Sequence, residues 1–355
     1  IRSKTISSVE LTQLMLDRIA KYNEKINAIV TLTADAALAR AKEADEALAK
    51  GDNWGVFHGV PMTIKDTFET EGVLTTAGAT FLSQYVPKQD AVGVTRLKNA
   101  GGVVLGKTNV PFMAGDVQTY NEVFGTTINP WNLERTSGGS TGGGAAARAP
   151  GLTYMSFGSD IGGSIRTPSN FLAVFGPKPT LDLIPQKGHI PPPPGTPDPG
   201  QTLAVAGPLA RSAEDLMAAL KVLGGPAGEF AIGYRWEMPA PRQTTLADYR
   251  VGYVLDDPFC PTSAETKAVL EQALKAAEKA GCKLVEGWPQ GIDPKRQFEN
   301  YTYVLFAILD AAAPPDQLAR IKELAEQGDP ISQIRQRAST DPSKALGMQL
   351  MMQKA

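Results

Sequence analysis

Two serines set in glycine lie 24 residues apart: Ser140 in Ser137-Gly138-Gly139-Ser140-Thr141-Gly142-Gly143-Gly144, and Ser164 in Gly162-Gly163-Ser164. Glycine beside a serine exposes its hydroxyl and lets backbone N–H groups turn inward. That combination suits nucleophilic acyl transfer, in which a base removes the serine proton and the amides stabilise the oxyanion. The same residue types also suit a linker, a turn or a phosphate nest. A third candidate is Lys65, in the stretch HGVPMTIKDT from His58 to Thr67, where it follows an apolar run and adjoins Asp66. Lysine acts as a base only if a useful fraction is neutral; desolvation lowers its pKa and a nearby anion raises it. The segment alone fits either a buried catalytic amine or a structural ion pair.

Other chemistries find less support. The segment GGVVLGKT, Gly101 to Thr108, has the spacing of a phosphate-binding loop. Such a loop needs its glycines between strand and helix, whereas Val103-Val104-Leu105 reads as the strand itself and Pro111 disfavours immediate helix. His58 and His189 are the only histidines, and Cys260 and Cys282 the only cysteines. None forms a compact ligand motif, so no metal site or disulfide scaffold is expected, and both histidines read as structural or loop residues. With 35 Lys+Arg against 37 Asp+Glu and a net charge of -2, nucleic acid and anionic membranes are poor partners. No apolar stretch approaches the roughly 18 residues of a membrane span, and no signal peptide is visible, so a soluble, cytoplasmic protein is expected.

The elements that must position these residues read as α/β. Ser7, three residues before Glu10, predicts a capping box for a helix with Leu11, Leu14, Met15 and Ile19 on one face. Helices are predicted over 34–48 and, at the surface, 91–99; the latter leads into a buried strand at Val103–Leu105. Residues 145–149 continue a helix out of the first glycine loop, Pro150-Gly151 stops it, and 152–157 forms the next strand. Two small-residue loops thus bracket a helix and a strand, which favours a compact site over a linker. Further on, the proline-rich stretch from Ile190 to Gly200 predicts an extended loop at a pocket edge. Ser212 caps a helix through Leu220, and Ser263 precedes another over 265–280.

Taken together, HGVPMTIKD (58–66), LGKTN (105–109), FGTTINPWN (124–132), SGGSTGGG (137–144) and GSDIGGSIRTPS (158–169) resemble, in order, the motifs of the amidase-signature hydrolases. The specific similarity covers roughly residues 55–185. The resemblance implies a single amidase-like α/β domain over 1–355, incomplete at its termini, with a mixed central sheet flanked by helices. It also implies a Ser-cisSer-Lys site: Ser164 the nucleophile, Lys65 the base, and Ser140, after a cis Gly139–Ser140 bond, the relay. The amides of Ile161, Gly162, Gly163 and Ser164 match the oxyanion hole, Asp160 and Arg166 the loop's support, and Met113, Ala114 and Gly115 a substrate-pocket segment. No metal or organic cofactor is implied.

The departures bear on substrate. Phe112 stands where many of these enzymes carry an acidic residue, Thr141 replaces the second serine of GGSSGG, and Ser159 replaces a common threonine. The stretch KPTLDLIPQKGHIPPPPG resembles a branch with a hydrophobic entrance loop. An aryl, acyl or carbamate small-molecule substrate is therefore expected, with the catalytic subunit of an amidotransferase or an impaired amide-binding protein as alternatives. A homo-oligomer is compatible with this reading.

Overall fold

The computed structural model describes residues 1–191, 193–195, 203–310 and 313–340. The chain divides into two compact units, 1–238 and 239–355.

In the first unit, α1 (Ser8–Ile26) starts at the expected capping box, with Ser7 accepting from the Glu10 amide and the Glu10 carboxylate accepting from Ser7. Its buried stripe is Ser8, Thr12, Met15, Leu16 and Ile19, joined by Leu11. Leu14 is exposed, because the stripe follows the i, i+4 and i+7 positions counted from Ser8. Then come β1 (Ile29–Leu32), α2 (Ala34–Ala49), β2 (Pro61–Lys65), α3 (Val92–Asn99) and β3 (Val103–Thr108). Next are the short β4 (Tyr120–Asn121) and β5 (Gly125–Thr126), α4 (Gly142–Arg148), β6 (Met155–Asp160), α5 (Arg166–Leu172), β7 (Val205–Leu209), α6 (Ala213–Leu223) and a four-residue α7 (Phe230–Gly233). The expected strand at 152–157 forms three residues later. Leu152 instead closes the turn after α4 through its N–H to Ala147 O, and Met155–Asp160 pairs with strands on both sides.

The sheet is mixed, in the order β1-β3-β2-β6-β7; β3, β2 and β6 are parallel and the two edge strands antiparallel. Two apolar clusters pack the sheet and its helices. One joins Met15, Ile19, Ala41, Leu105 and Ala146; the other joins Ile64, Val94, Leu97, Phe157 and Leu223. Lys107 lies inside β3 and is buried, while Gly101 and Gly102 precede the strand. No phosphate loop exists there, because its glycines do not join strand to helix.

The second unit pairs β8 (Arg250–Tyr253) with β9 (Lys283–Glu286) in parallel across α8 (Ala264–Lys279), which Ser263 caps. Helices α9 (Pro294–Leu309), α10 (Pro315–Glu326) and α11 (Pro330–Thr340) follow. Tyr303, Ile334 and Ala338 pack between α9 and α11, and Arg335 makes two hydrogen bonds to buried Asp310.

Candidate active site

Parallel pairing of β2 with β6, in register at Ile64 and Phe157, brings Lys65 and the pair Ser159-Asp160 to one end of the sheet. This is the carboxyl end of the parallel strands, where loops of an α/β sheet can surround a ligand. Lys65 is fully buried, with Nζ 2.7 Å from Ser140 Oγ, 3.0 Å from Ser159 Oγ and 3.4 Å from Ser159 O. Burial pushes its amine down to about 7, against the opposing pull of the Asp160 carboxylate. A large neutral fraction therefore exists near neutrality, the condition a lysine base requires.

The neighbouring Asp66 does not pair with Lys65. It lies 3.7 Å from the buried Lys107 and accepts from the amide and hydroxyl of Thr76. Lys65 is the last residue of β2 and Asp66 opens the turn after it, where its carboxylate meets Lys107 of the adjacent β3. Lys107 also donates to Phe68 O and to Thr75 Oγ1 at 2.7 Å, which anchors the loop after β2.

Ser140 follows the expected cis Gly139–Ser140 peptide bond. Tight contact fixes this loop: a Cβ on Gly139 would lie 2.7 Å from Gln118 N, and one on Gly143 would lie 2.4 Å from Asn109 N. Gly143 thus permits α4 to approach the Asn109 backbone, while Gly142 and Gly144 sit against the side chains of Thr119 and Ser156. Thr141, the departure from GGSSGG, keeps a hydroxyl that donates to Ser159 O at 3.1 Å, while its N–H donates to Ser164 O at 3.1 Å. The second bond ties the Ser140 loop to the Ser164 loop. Ser164 is 8% exposed, against 1% for Ser140 and none for Lys65, so the three run from the rim inward. Among the described residues the Ser164 hydroxyl has no hydrogen-bond partner.

Asp160 organises the loop that carries Ser164. Its Oδ1 accepts from Gly163 N at 2.8 Å and Arg166 Nη2 at 2.9 Å; its Oδ2 accepts from Ile165 N, Arg166 N and Arg166 Nε at 3.0 to 3.2 Å. Burial alone would raise the carboxyl, but the Arg166 and amide hydrogen bonds outweigh it and hold the pKa below the usual range. The Gly163 N–H is the loop amide engaged by Asp160 Oδ1. The N–H groups of Gly162 and Ser164 have no acceptor among the described residues, and Ile161 is half-buried at the start of the loop.

The Met113-Ala114-Gly115 segment forms a tight turn, with Met113 and Ala114 at φ values of 48° and 58°. Met113 N donates to Ala77 O, and its side chain packs against Ala77, Ala79, Leu82 and Ile190. The residues that follow lie against Gly139, so this turn abuts the Ser140 loop. Phe112 is 57% exposed and meets exposed Phe81 edge-on, with ring centroids 6.3 Å apart.

Sequence reasoning missed His189. Its Nε2 lies 2.8 Å from Ser159 Oγ, which places it one hydroxyl away from Lys65. The imidazole packs edge-on against Phe68, and Ile190 N donates to Thr67 O, so the start of the proline-rich loop is pinned at the site. Pro192 and residues 196–200 of that stretch lie outside the described residues. No spacing rule links His189 to Lys65, which lies 124 residues earlier.

The Amidase family model matches residues 10–350. The chain is 38% identical to a subunit of the glutamyl-tRNA(Gln) amidotransferase of Thermosynechococcus vestitus over 286 residues, 80% of this chain and 58% of that protein. It thus spans less than two thirds of that relative's length. Among solved structures, a fatty acid amide hydrolase superposes with a TM-score of 0.75 at 28% identity, covering 85% of this chain and 53% of that one. A bacterial aryl acylamidase of the amidase-signature family superposes at 0.78 over the whole chain and 74% of its own length, at 23% identity, a likeness of fold. On the ordered motifs, the family match and the mixed α/β fold that carries them, the chain belongs to the amidase-signature family.

Proposed function

We propose that the protein hydrolyses a carboxylic amide through an acyl-Ser164 intermediate. The observation that carries this reading is the fully buried Lys65 at 2.7 Å from Ser140, which lies on a loop hydrogen-bonded to that of Ser164. Ser164 Oγ attacks the carbonyl carbon as its proton passes to Ser140 Oγ and the Ser140 proton passes to Lys65 Nζ. The N–H groups of Gly162 and Ser164 face the developing oxygen charge. The proton then returns through Ser140 to the leaving nitrogen, the C–N bond breaks, and an amine departs. Water, deprotonated through the same relay, attacks the acyl carbon and releases the acid and Ser164. Asp160 and Arg166 hold the loop and take no proton.

The exposed Phe81–Phe112 pair beside the Met113 turn supports an aryl or acyl amide, or a carbamate, over a charged substrate. A fluorophosphonate probe tests the nucleophile: its mass is expected on Ser164, and on nothing in folded Ser164→Ala. Labelling at another residue, or unchanged amide turnover in Ser164→Ala, would sink the assignment.

Likeness to an amidotransferase component supports a second reading, release of ammonia from glutamine for an acceptor held by partner proteins. Assays with glutamine against an anilide, with and without such partners, separate the two. Hydrolysis of the anilide by this chain alone favours the first reading; activity confined to glutamine and dependent on partners favours the second.

A further inference from the structure

Ser159 and His189 complete a directional hydrogen-bond chain behind the base. Ser159 Oγ has two neighbours, Lys65 Nζ at 3.0 Å and His189 Nε2 at 2.8 Å. A hydroxyl has one proton to donate, so which neighbour receives it decides how Lys65 is presented. The contacts of His189 favour one direction. Its Nδ1 faces Pro191 O at 3.4 Å, a carbonyl that only accepts, so this contact assigns the proton to Nδ1 and makes Nε2 of the neutral ring the acceptor. Burial and the neighbouring Lys65 charge both push the imidazole well below its usual pKa, in keeping with a neutral ring. The Ser159 proton therefore points to His189, and its lone pairs face Lys65.

The count at Lys65 then closes. A neutral amine has two N–H groups and one lone pair. Ser159 Oγ and Ser159 O, at 3.0 and 3.4 Å, take the two protons, and the remaining position faces Ser140 Oγ at 2.7 Å. Were the Ser159 hydroxyl free to turn, it would donate into the Lys65 lone pair and compete with Ser140 for the base. The backbone holds the imidazole in place: His189 N donates to Gln186 O, Ile190 N donates to Thr67 O, and the ring edge meets Phe68.

We infer that His189 is a positioning residue which, through Ser159, keeps the Lys65 lone pair aimed at Ser140. The inference rests on the amide-hydrolysis reading for its consequence in rate, but the tautomer it requires is measurable without any turnover. With only two histidines in the chain, 15N NMR of the imidazoles, assigned by loss of one set in His189→Leu, reads His189 directly. A neutral ring protonated at Nδ1 between pH 6 and 8, perturbed by Ser159→Ala, is expected; protonation at Nε2, or a cationic ring at neutral pH, overturns the inference.

In rate, the pseudo-first-order labelling of Ser164 by a fluorophosphonate is expected to fall about tenfold in His189→Leu and in Ser159→Ala, part of the roughly 10² to 10⁴ that positioned proton transfer supplies. The double variant should label no more slowly than Ser159→Ala alone, because His189 acts only through that hydroxyl. His189→Gln, whose amide oxygen can stand at the Nε2 position, should recover most of the rate. Additive losses, or a His189→Gln as slow as His189→Leu, would mean that the ring merely packs. An unlabelled wild type with the expected tautomer would instead count against the acyl-enzyme reading.

Discussion

At the scale of single residues, burial does more than charge to set the site's chemistry. Lys65 has the Asp160 carboxylate acting on it, which taken alone would strengthen its hold on the proton, yet the loss of hydration dominates and brings the amine to about 7. The base is the neutral form, so the acylation rate should climb as pH rises through about 7 and level above it. A kcat/KM profile on an anilide, or labelling of Ser164 across pH, checks this; a limb near the ordinary lysine value would show that the base is solvated or is another group. Lys65→Met should remove the limb together with most of the rate. The residue types of this site were legible in the sequence, because Ser140, Ser164 and Lys65 each sit in a short motif whose glycines and apolar neighbours are local. Two roles were not. The Gly163 amide turned out to be held by Asp160, and His189 turned out to face Ser159; both depend on the direction of a bond vector, which no composition encodes.

At the scale of elements, α4 is a helix of glycine and alanine because it is wedged among backbone segments and small side chains. Gly143 faces Asn109 N and O of the strand-end loop at 2.4 and 2.5 Å from where a Cβ would stand, so Gly143→Ala must push a backbone aside. A loss of roughly 1–3 kcal/mol is expected from such overpacking, with slower Ser164 labelling because the helix follows directly from Ser140. Gly233→Ala, with nothing within 4 Å of its Cβ, is the control and should leave the unfolding midpoint nearly unchanged. Thermal unfolding of the two variants decides it, and equal midpoints would mean that α4 has room the close contacts deny. Helix starts were readable at Ser7, Ser212 and Ser263, since a cap is a bond to an amide two or three residues away. The start of β6 was not, because its limits follow from pairing with β2 and β7, distant in sequence.

At the scale of the whole molecule, the first unit buries two lysines, Lys65 and Lys107, whose amines are lowered to about 7 and about 8. The unfolded chain holds both protons to about 10.4. Between those values the unfolded state binds more protons than the native state, so stability should rise as pH increases from about 7 to about 10.4. One such group contributes at most about 1.4 kcal/mol per pH unit in that window. Asp66, raised chiefly by burial, acts in the opposite sense, and its contribution is lost as pH rises through its native value. Urea unfolding at several pH values should show the upward slope, and Lys65→Met should reduce it by one proton's worth. A slope unchanged by that substitution would mean that the amine keeps its proton in the native state.

The sequence by itself determined the family and the α/β class and put forward Lys65, Ser140 and Ser164 through the family's motifs, because those signals are carried by short segments: a cap, a buried strand, an ordered set of glycine-rich motifs. Tertiary structure alone decided which charges meet. Asp66 pairs with Lys107 rather than with its neighbour Lys65, since it stands in the turn after β2 where the end of β3 lies alongside. His189 reaches the base only because the segment after α5 returns to lie beside the loop that follows β2, where Ile190 N meets Thr67 O. Contacts of that kind are closed by the packing of distant segments, and their geometry exists only once the sheet has formed.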